Sequence, residues 1–290
     1  MRSKAKKIFI KGFLQSFFIV AILLGAGVLG YQTTMHFWKP AKEEAVVAYK
    51  EQAVPESITE ASIDDVSKNL IYSYNEDTKE IDKIILEIFH CENKKMTYIT
   101  IPMRTQFTMS NELYRKLVLV HPAIPQILKL STMTRYLDSE TVFEYGVLIV
   151  ADLLDIDISY YTAIPKATFD TIFTEGTASS EVDGKKGGTE ERTTEQMVPV
   201  EIFTDEYTDF LKSFQTAEEL STYIEEIYPS FQSNLSLLDK MNYLESYCKT
   251  PLSNLSFELI EGNDLNHAFI IDNKLVAQQL EKLTTKNAQE

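Results

Sequence analysis

An arginine stands directly after a predicted β-strand, a position where a cation can meet a ligand. The stretch MTYITIPMRTQFTMS, residues 96–110, begins with the alternation that is typical of a half-buried strand. Pro102 ends that strand because it has no N–H to donate to a sheet, and Arg104 follows two residues later. Ligands of α/β proteins bind at the carboxyl ends of strands. Arg104 is therefore a candidate phosphate clamp, and a solvated surface arginine is the alternative.

The composition excludes some functional classes. The 290 residues carry a net charge of −15 and include only five arginines, so basic surface for nucleic-acid binding is scarce. The sequence has no C-x-x-C motif or Cys/His cluster that would indicate a metal site. Cys91 and Cys248 lie far apart in the sequence. They could form one disulfide in an extracytoplasmic domain, or they could remain two isolated buried thiols.

The N-terminal residues predict a membrane anchor. Residues 1–11 form a basic tail, and residues 12–31 form an uncharged apolar run that is long enough to cross a hydrocarbon core of roughly 30 Å. Basic residues before such a run predict a cytoplasmic N-terminus and an extracellular C-terminal domain. A cleaved signal peptide is the alternative, because residues 25–30 are rich in small residues. The acidic residues 32–68 predict a stalk.

Residues 69–285 predict one mixed α/β domain. Three apolar runs at the start of this region indicate three strands in a meander. The sequence also predicts a flexible loop at 175–197, rich in Gly, Ser, Thr and charge, whose GKKGGT lacks the spacing of a phosphate loop. Before the loop, helices are predicted from an N-cap at Ser110, over 125–137, in the apolar stretch 138–155, and from Pro165 at the first helical position. After the loop, two amphipathic segments predict helices, and the second begins with the capping box Thr216–Glu219. Two more helices are predicted over 235–248 and from a cap at Asp272. Further strands are predicted over 156–165, 256–262 and 267–272.

The order of these elements, together with three short motifs, resembles the LytR–CpsA–Psr (LCP) family of Gram-positive envelope proteins. The motifs read EID at 80–82, TIPMRT at 100–105 and ISYY at 158–161. The resemblance is best over 69–175 and weak over 197–285. It implies an α/β/α sandwich with a mixed central sheet. It also implies transfer of glycopolymers from a polyprenyl-pyrophosphate carrier to peptidoglycan, with arginines and Mg²⁺ on the pyrophosphate.

The chain departs from the family pattern at the arginines. The family reads R-x-D where this chain has Glu80, Ile81 and Asp82, so the acid matches and the arginine is lost. The family reads S-I-P-R-D-T where this chain has Met103 in the arginine position and Arg104 in the acid position. No arginine follows position 192, where the family has a second arginine block.

The resemblance assigns roles to four residues. Asp82 is a candidate metal ligand or base, Arg104 a candidate catalytic clamp, and Arg115 and Lys116 are candidate substrate-binding cations. A strand-capping role for Asp82 is the alternative. The apolar residues at 127–130 and 148–154 could line a lipid pocket or form plain core. We expect an envelope protein whose transfer activity is lost or altered, and an active transferase with a rearranged site is the alternative. The implied partners are the membrane, a polyprenyl-pyrophosphate lipid, cell-wall glycan and other envelope proteins.

Overall fold

A six-stranded mixed sheet forms the centre of the described part of the chain. The computed structural model describes residues 61–176, 198–214, 216–265 and 267–285. The predicted meander is present as antiparallel strands β1 (Val66–Tyr74), β2 (Ile81–His90) and β3 (Lys95–Ile101). In the complete sheet, β6 (Tyr160–Pro165) runs parallel to β1, β10 (Leu255–Leu259) runs parallel to β3, and β9 (Gln232–Ser233) pairs with β6.

Within the described residues, three two-stranded ribbons lie outside this sheet, and the sequence does not predict them as ribbons. Each joins short segments whose backbone groups pair with one another. They are β4 (Gln106–Thr108) with β5 (Ile127–Lys129), β7 (Phe173–Gly176) with β8 (Val200–Phe203), and β11 (Gly262–Leu265) with β12 (Ala268–Ile271).

Helices cover both faces of the sheet, as predicted. One face packs against α1 (Asn111–Val120), α2 (Val142–Leu154) and α8 (Asn273–Thr284). The other face carries α3 (Lys166–Ile172), α4 (Asp205–Ser213), α5 (Ala217–Ile227), α6 (Leu237–Met241) and α7 (Leu244–Cys248). Because both faces are covered, the central strands are buried almost along their whole length.

Helix α2 is the central helix of the first face. Nine of its residues are buried, which agrees with the prediction of a long helix packed on the sheet. Gly146 lets this helix approach β1 closely, because an added Cβ would lie 2.6 Å from the hydroxyl oxygen of Tyr72. The sequence leaves open whether the apolar residues at 127–130 and 148–154 line a lipid pocket or form core. They pack into the hydrophobic core on this face of the sheet, apart from Ile127, which is 59% exposed.

The predicted helix caps are confirmed. The Ser110 side chain accepts a hydrogen bond from the N–H of Leu113 at the start of α1. Thr216 and Glu219 form the reciprocal capping box of α5. The Asp272 side chain accepts from two N–H groups of α8. Each cap uses groups that lie within three residues, so its signal is local to the sequence.

Several predicted elements differ from the structure. Residues 125–137 were expected as a helix, but they form β5 and a 3₁₀ turn at Leu130–Arg135, because β5 pairs with β4. The helix predicted over 235–248 is divided into α6 and α7. Pro165 is the N-cap residue of α3, not its first helical residue.

The boundaries of the domain also extend beyond those predicted. Strand β1 begins at Val66, so residues 66–68 of the predicted stalk lie in the sheet. Strand β7 includes the first two residues of the predicted loop 175–197. The remaining loop residues to 197, the tail, the anchor and the stalk up to residue 60 lie outside the described residues. Among the described residues, no helix has the length and apolar character needed to span a membrane.

The two cysteines are free thiols, which agrees with the alternative of two isolated thiols. Cys91 is half-buried, whereas Cys248 is exposed, so the expectation of burial was wrong for Cys248. Burial raises the pKa of both thiols above the usual value, so neither is activated as a thiolate.

Candidate functional site

A cavity of about 380 Å³ lies where β2 begins and β3 ends. Asp82 and Arg104, the two predicted catalytic residues, both line it. The antiparallel register explains this, since Ile84 of β2 pairs with Ile101 of β3. Residues just before Ile84 therefore lie beside residues just after Ile101. The described lining is Asp82, Lys83, Ile84, Thr100, Ile101, Pro102, Met103, Arg104, Val198, Pro199 and Glu201.

Arg104 is held by a carboxylate of the C-terminal ribbon. Its Nη2 lies 2.6 Å from Oδ2 of Asp264, and the two side chains are 34% and 22% exposed. The ribbon is fixed at this place because the N–H of Phe269 donates to the carbonyl of Arg104, at 3.1 Å. The other carboxylate oxygen of Asp264, Oδ1, is buried and has no hydrogen-bond partner among the described residues. The charge of Arg104 is therefore already compensated within the protein.

The second cation of the cavity is compensated as well. Nζ of Lys83 lies 2.6 Å from Oε1 of Glu201 and 2.7 Å from Oε1 of Glu175. Burial lowers the pKa of Lys83, but the hydrogen bonds and charges of the two carboxylates outweigh it, so the pKa is raised. Glu201 is fixed in turn, since its N–H donates to Oγ1 of Thr100 at 2.8 Å and its side chain is only 3% exposed.

Asp82 lines the same cavity, and its carboxylate Oδ2 lies 3.4 Å from Nζ of Lys166. Both side chains are more than a third exposed, so the pair is loose. The described lining contains two carboxylates, and each contacts a lysine: Asp82 faces Lys166, and Glu201 is paired with Lys83. Mg²⁺ is usually bound by one or two carboxylates together with waters and substrate phosphates, so Asp82 would hold this ion only alongside a bound phosphate. Among the described residues, no group of three or more His, Cys, Asp or Glu could hold a metal ion.

The two predicted substrate-binding cations lie elsewhere. Arg115 and Lys116 are on the exposed side of α1, and Nζ of Lys116 lies 2.8 Å from Glu112, one turn earlier. Lys116 borders a different cavity, of about 500 Å³, whose lining includes Asp152, Asp155 and Asp157. The structure therefore brings Asp82 and Arg104 together, but it places Lys116 beside carboxylates at another cavity and leaves Arg115 on the exposed side of α1.

The sequence reasoning missed Lys83, Glu201 and Asp264. Alternating apolar residues in VPVEIF, at 198–203, could have indicated β8 and hence Glu201. Asp264 contacts Arg104 across 160 positions of sequence, and no local pattern signals such a contact.

Comparison with known proteins identifies the architecture. No family model and no curated protein matches the chain. Among solved structures, B. subtilis TagV superposes with a TM-score of 0.51 at 13% sequence identity, covering 77% of this chain and 98% of TagV. The described domain has the LCP fold. The resemblance seen in the sequence and the mixed sheet flanked by helices are thereby confirmed.

Two further solved structures that match the chain, at lower TM-scores, contain a bound ligand. TagT bound to LI-WTA has a TM-score of 0.45 and 14% identity, covering 77% of this chain and 92% of that chain. The LytR-CPS2A-psr family protein YwtF (TagT) with bound octaprenyl pyrophosphate lipid has a TM-score of 0.44 and 16% identity, covering 77% and 91%.

Proposed function

We propose that this LCP-fold protein is anchored in the cell membrane, faces the outside, and binds a polyprenyl-pyrophosphate ligand without transferring it at an ordinary rate. One observation carries the proposal: the cavity that contains Asp82 and Arg104 has no uncompensated cation among its described residues. Arg104 is paired with Asp264, and Lys83 is paired with Glu175 and Glu201.

The physical reason concerns the charge that develops on phosphate oxygens. Phosphoryl transfer depends on preorganised positive charge at those oxygens, because the protein does little covalent chemistry there. The described lining of the cavity has two cations and two carboxylates, so it is neutral before its outer partners are counted. Among the outer partners, the carboxylates of Asp264 and Glu175 outnumber the ammonium of Lys166, so the surroundings are negative. Such a site attracts a pyrophosphate weakly and gives its transition state little additional stabilisation.

Binding would require Arg104 to change partners. A pyrophosphate that enters the cavity has to replace Asp264 on the guanidinium, and the displaced carboxylate then has to be hydrated. Arg104 is 34% exposed, so this exchange is sterically open. The net gain in binding free energy is small, because the ligand replaces the charge-assisted hydrogen bonds between Arg104 and Asp264 with similar ones of its own. Arg104 is the binding group in this proposal, and Asp82, which faces Lys166, is a weaker contributor.

An active transferase with a rearranged site is the second candidate. It is favoured by the fact that Asp82 and Arg104 line one cavity, where an acid and a clamp would have to meet. In that case Arg104 acts as a relocated clamp and Asp82 as a base. The two candidates share the binding step and differ in turnover.

The location at the membrane is a proposal from the sequence. The basic tail 1–11 and the apolar run 12–31 support a single anchor with a cytoplasmic N-terminus. Magnesium, cell-wall glycan and other envelope proteins are further proposed partners that follow from the resemblance. A pyrophosphate lipid is the first of these to test, because the cavity contains the arginine that would meet it.

Calorimetric titration of geranyl pyrophosphate tests the binding step. The full chain is held in nanodiscs of zwitterionic phospholipid, and titrations are made with and without Mg²⁺. Arg104→Ala should weaken binding about fivefold, since a hydrogen bond to a charged group contributes at least about 1 kcal/mol. Arg115→Ala is the matched control, because it removes an exposed arginine outside the cavity. Equal binding by wild type and Arg104→Ala, or a loss only in Arg115→Ala, would contradict the proposal.

A further inference from the structure

A second cavity, of about 430 Å³, lies between the sheet and the helices α4 and α5. Neither of these helices has a fully buried residue, although both are amphipathic and face the sheet. Aromatic side chains form much of the wall, including Tyr98, Phe203, Tyr207 and Tyr223. This cavity and the Asp82–Arg104 cavity share no described lining residue. Strand β8 contributes to both, with Phe203 in this cavity and Glu201 in the other.

The floor of this cavity contains a polar row in the middle of the sheet. Glu87 of β2 pairs with Asn69 of β1 on one side and with Tyr98 of β3 on the other. The same row continues to Tyr160 of β6 and Phe257 of β10. A carboxylate at the centre of a buried sheet is unusual, because charged residues are almost never fully buried unless they are paired.

Glu87 has no cation as a partner among the described residues. It is 6% exposed, and its hydrogen-bond partners are neutral: Oε1 accepts a long hydrogen bond of 3.5 Å from Nδ2 of Asn69, and the carboxylate also accepts one from the hydroxyl of Tyr98. Burial and then the Glu87 carboxylate raise the pKa of Tyr98, so that hydroxyl stays neutral. Lys240 also lines the cavity, but its Nζ donates to the hydroxyl oxygens of Tyr160, at 2.9 Å, and Tyr247, at 2.8 Å.

We propose that this cavity binds a primary ammonium group carried on an apolar body, with Glu87 as its counter-ion. A buried carboxylate whose hydrogen-bond partners are neutral is stabilised by a cation that donates hydrogen bonds to it. Aromatic rings around the cavity favour the same charge through their negative faces. The wall already holds one ammonium in this way, since Nζ of Lys240 lies 5.1 Å and 4.9 Å from the ring centres of Tyr160 and Tyr247.

The size of the cavity limits the apolar body. A cavity of about 150 Å³ holds one benzene molecule, so about 430 Å³ accommodates a ligand roughly three times that size. This lies at the lower end of the range for small-molecule sites. A plain hydrocarbon chain is a poor occupant, because it would cover the Glu87 carboxylate without giving it a hydrogen bond.

Three matched compounds test the proposal: 4-phenylbutylamine, 4-phenylbutanol and 4-phenylbutyrate. They share one apolar body and are cationic, neutral and anionic at pH 7. Each is titrated calorimetrically into the full chain in zwitterionic nanodiscs, with empty nanodiscs as the blank. The amine should bind about tenfold more tightly than the alcohol, and the acid should bind most weakly, because a hydrogen bond between charged groups contributes at least that factor.

Two variants identify the counter-ion. Glu87→Gln keeps the shape of the side chain and removes its charge, so it should reduce the preference for the amine over the alcohol to less than about threefold. Glu112→Gln is the matched control, because it removes one exposed negative charge far from this cavity. The proposal is overturned if wild type binds the alcohol or the acid at least as tightly as the amine. This comparison needs no variant, so it decides the matter even if Glu87→Gln does not fold. Equal amine binding by Glu87→Gln and Glu112→Gln would also overturn it.

Discussion

Replacing Asp264 by asparagine should release Arg104 and strengthen pyrophosphate binding. In the wild type, a ligand has to displace the carboxylate that lies 2.6 Å from Nη2 of Arg104. Asparagine is nearly the same size but neutral, so it competes less well for the guanidinium. It also removes a negative charge that repels the pyrophosphate.

The expected size of the effect follows from the exposure of the pair. Two unit charges about 4 Å apart attract by about 4 kcal/mol at an effective dielectric constant of 20. Desolvation and lost side-chain entropy offset most of this, and fully exposed pairs retain about 0.2–1 kcal/mol. With side chains 34% and 22% exposed, the Arg104–Asp264 pair lies between exposed and buried. A contribution of about 1–2 kcal/mol corresponds to an increase in affinity of about 5- to 30-fold.

The assay is the calorimetric titration of geranyl pyrophosphate into the full chain in zwitterionic nanodiscs. Asp209→Asn is the control, because Asp209 is an exposed partner of Lys212 and its replacement changes the net charge equally. In the Arg104→Ala background the gain from Asp264→Asn should be smaller, because the released guanidinium is absent and only the loss of the repelling charge remains. The reasoning is refuted if Asp264→Asn and Asp209→Asn bind alike, or if the gain is equally large without Arg104.

Three other predictions concern stability and topology. Lys83→Met should lower the free energy of unfolding by about 2–4 kcal/mol, because it leaves Glu201 buried without its cation. Glu175→Gln should lower it by less than about 1 kcal/mol, because Glu175 is 59% exposed. Chemical denaturation measures both, and equal effects would contradict this prediction. Burial, and then the charge of Glu144, raise the pKa of Tyr161 to about 12. The folded state therefore keeps the full contribution of the neutral hydroxyl to stability below about pH 10 and loses it between about pH 10 and 12. Tyr161→Phe should reduce this alkaline loss, and an unchanged dependence of the free energy of unfolding on pH would contradict the prediction. Protease added to intact protoplasts should degrade the C-terminal domain and leave the basic tail, and full protection of the domain would exclude the proposed orientation.

Local patterns in the sequence identify most of the regular elements. Strands β1 to β3 and the caps at Ser110, Thr216 and Asp272 depend on residues that are close together in the chain, so their signals survive without tertiary information. The long helix α2 is also evident, because its apolar run exceeds what a strand requires.

The elements that depend on distant partners could not be identified in this way. Residues 125–137 have a helical composition, but pairing of β5 with β4 overrides that preference. Strand β8 is short, and it forms because β7, about 25 residues earlier in the chain, supplies its partner. Short strands of this kind gain their stability from pairing, which a single sequence does not display.

The candidate site shows the same division. The sequence indicates Asp82 and Arg104, and the antiparallel register of β2 and β3 brings them to one cavity. It does not indicate that Asp264 pairs with Arg104, since that contact depends on how the C-terminal ribbon packs against β4. The compensation of the cavity's cations, which carries the proposed function, is therefore a property of the tertiary structure.

The most direct test of the central claim is turnover of a polyprenyl-pyrophosphate-linked oligosaccharide by the full chain with Mg²⁺. The measurement compares the release of the lipid phosphate product by wild type, Arg104→Ala and Asp82→Ala. Loss of one preorganised electrostatic donor costs about 10²–10³ in rate, and the loss of several costs more, although not additively. We therefore expect wild type to react no faster than the two variants, at the background rate. Robust wild-type turnover that both substitutions abolish would contradict this account and would make Arg104 a working clamp.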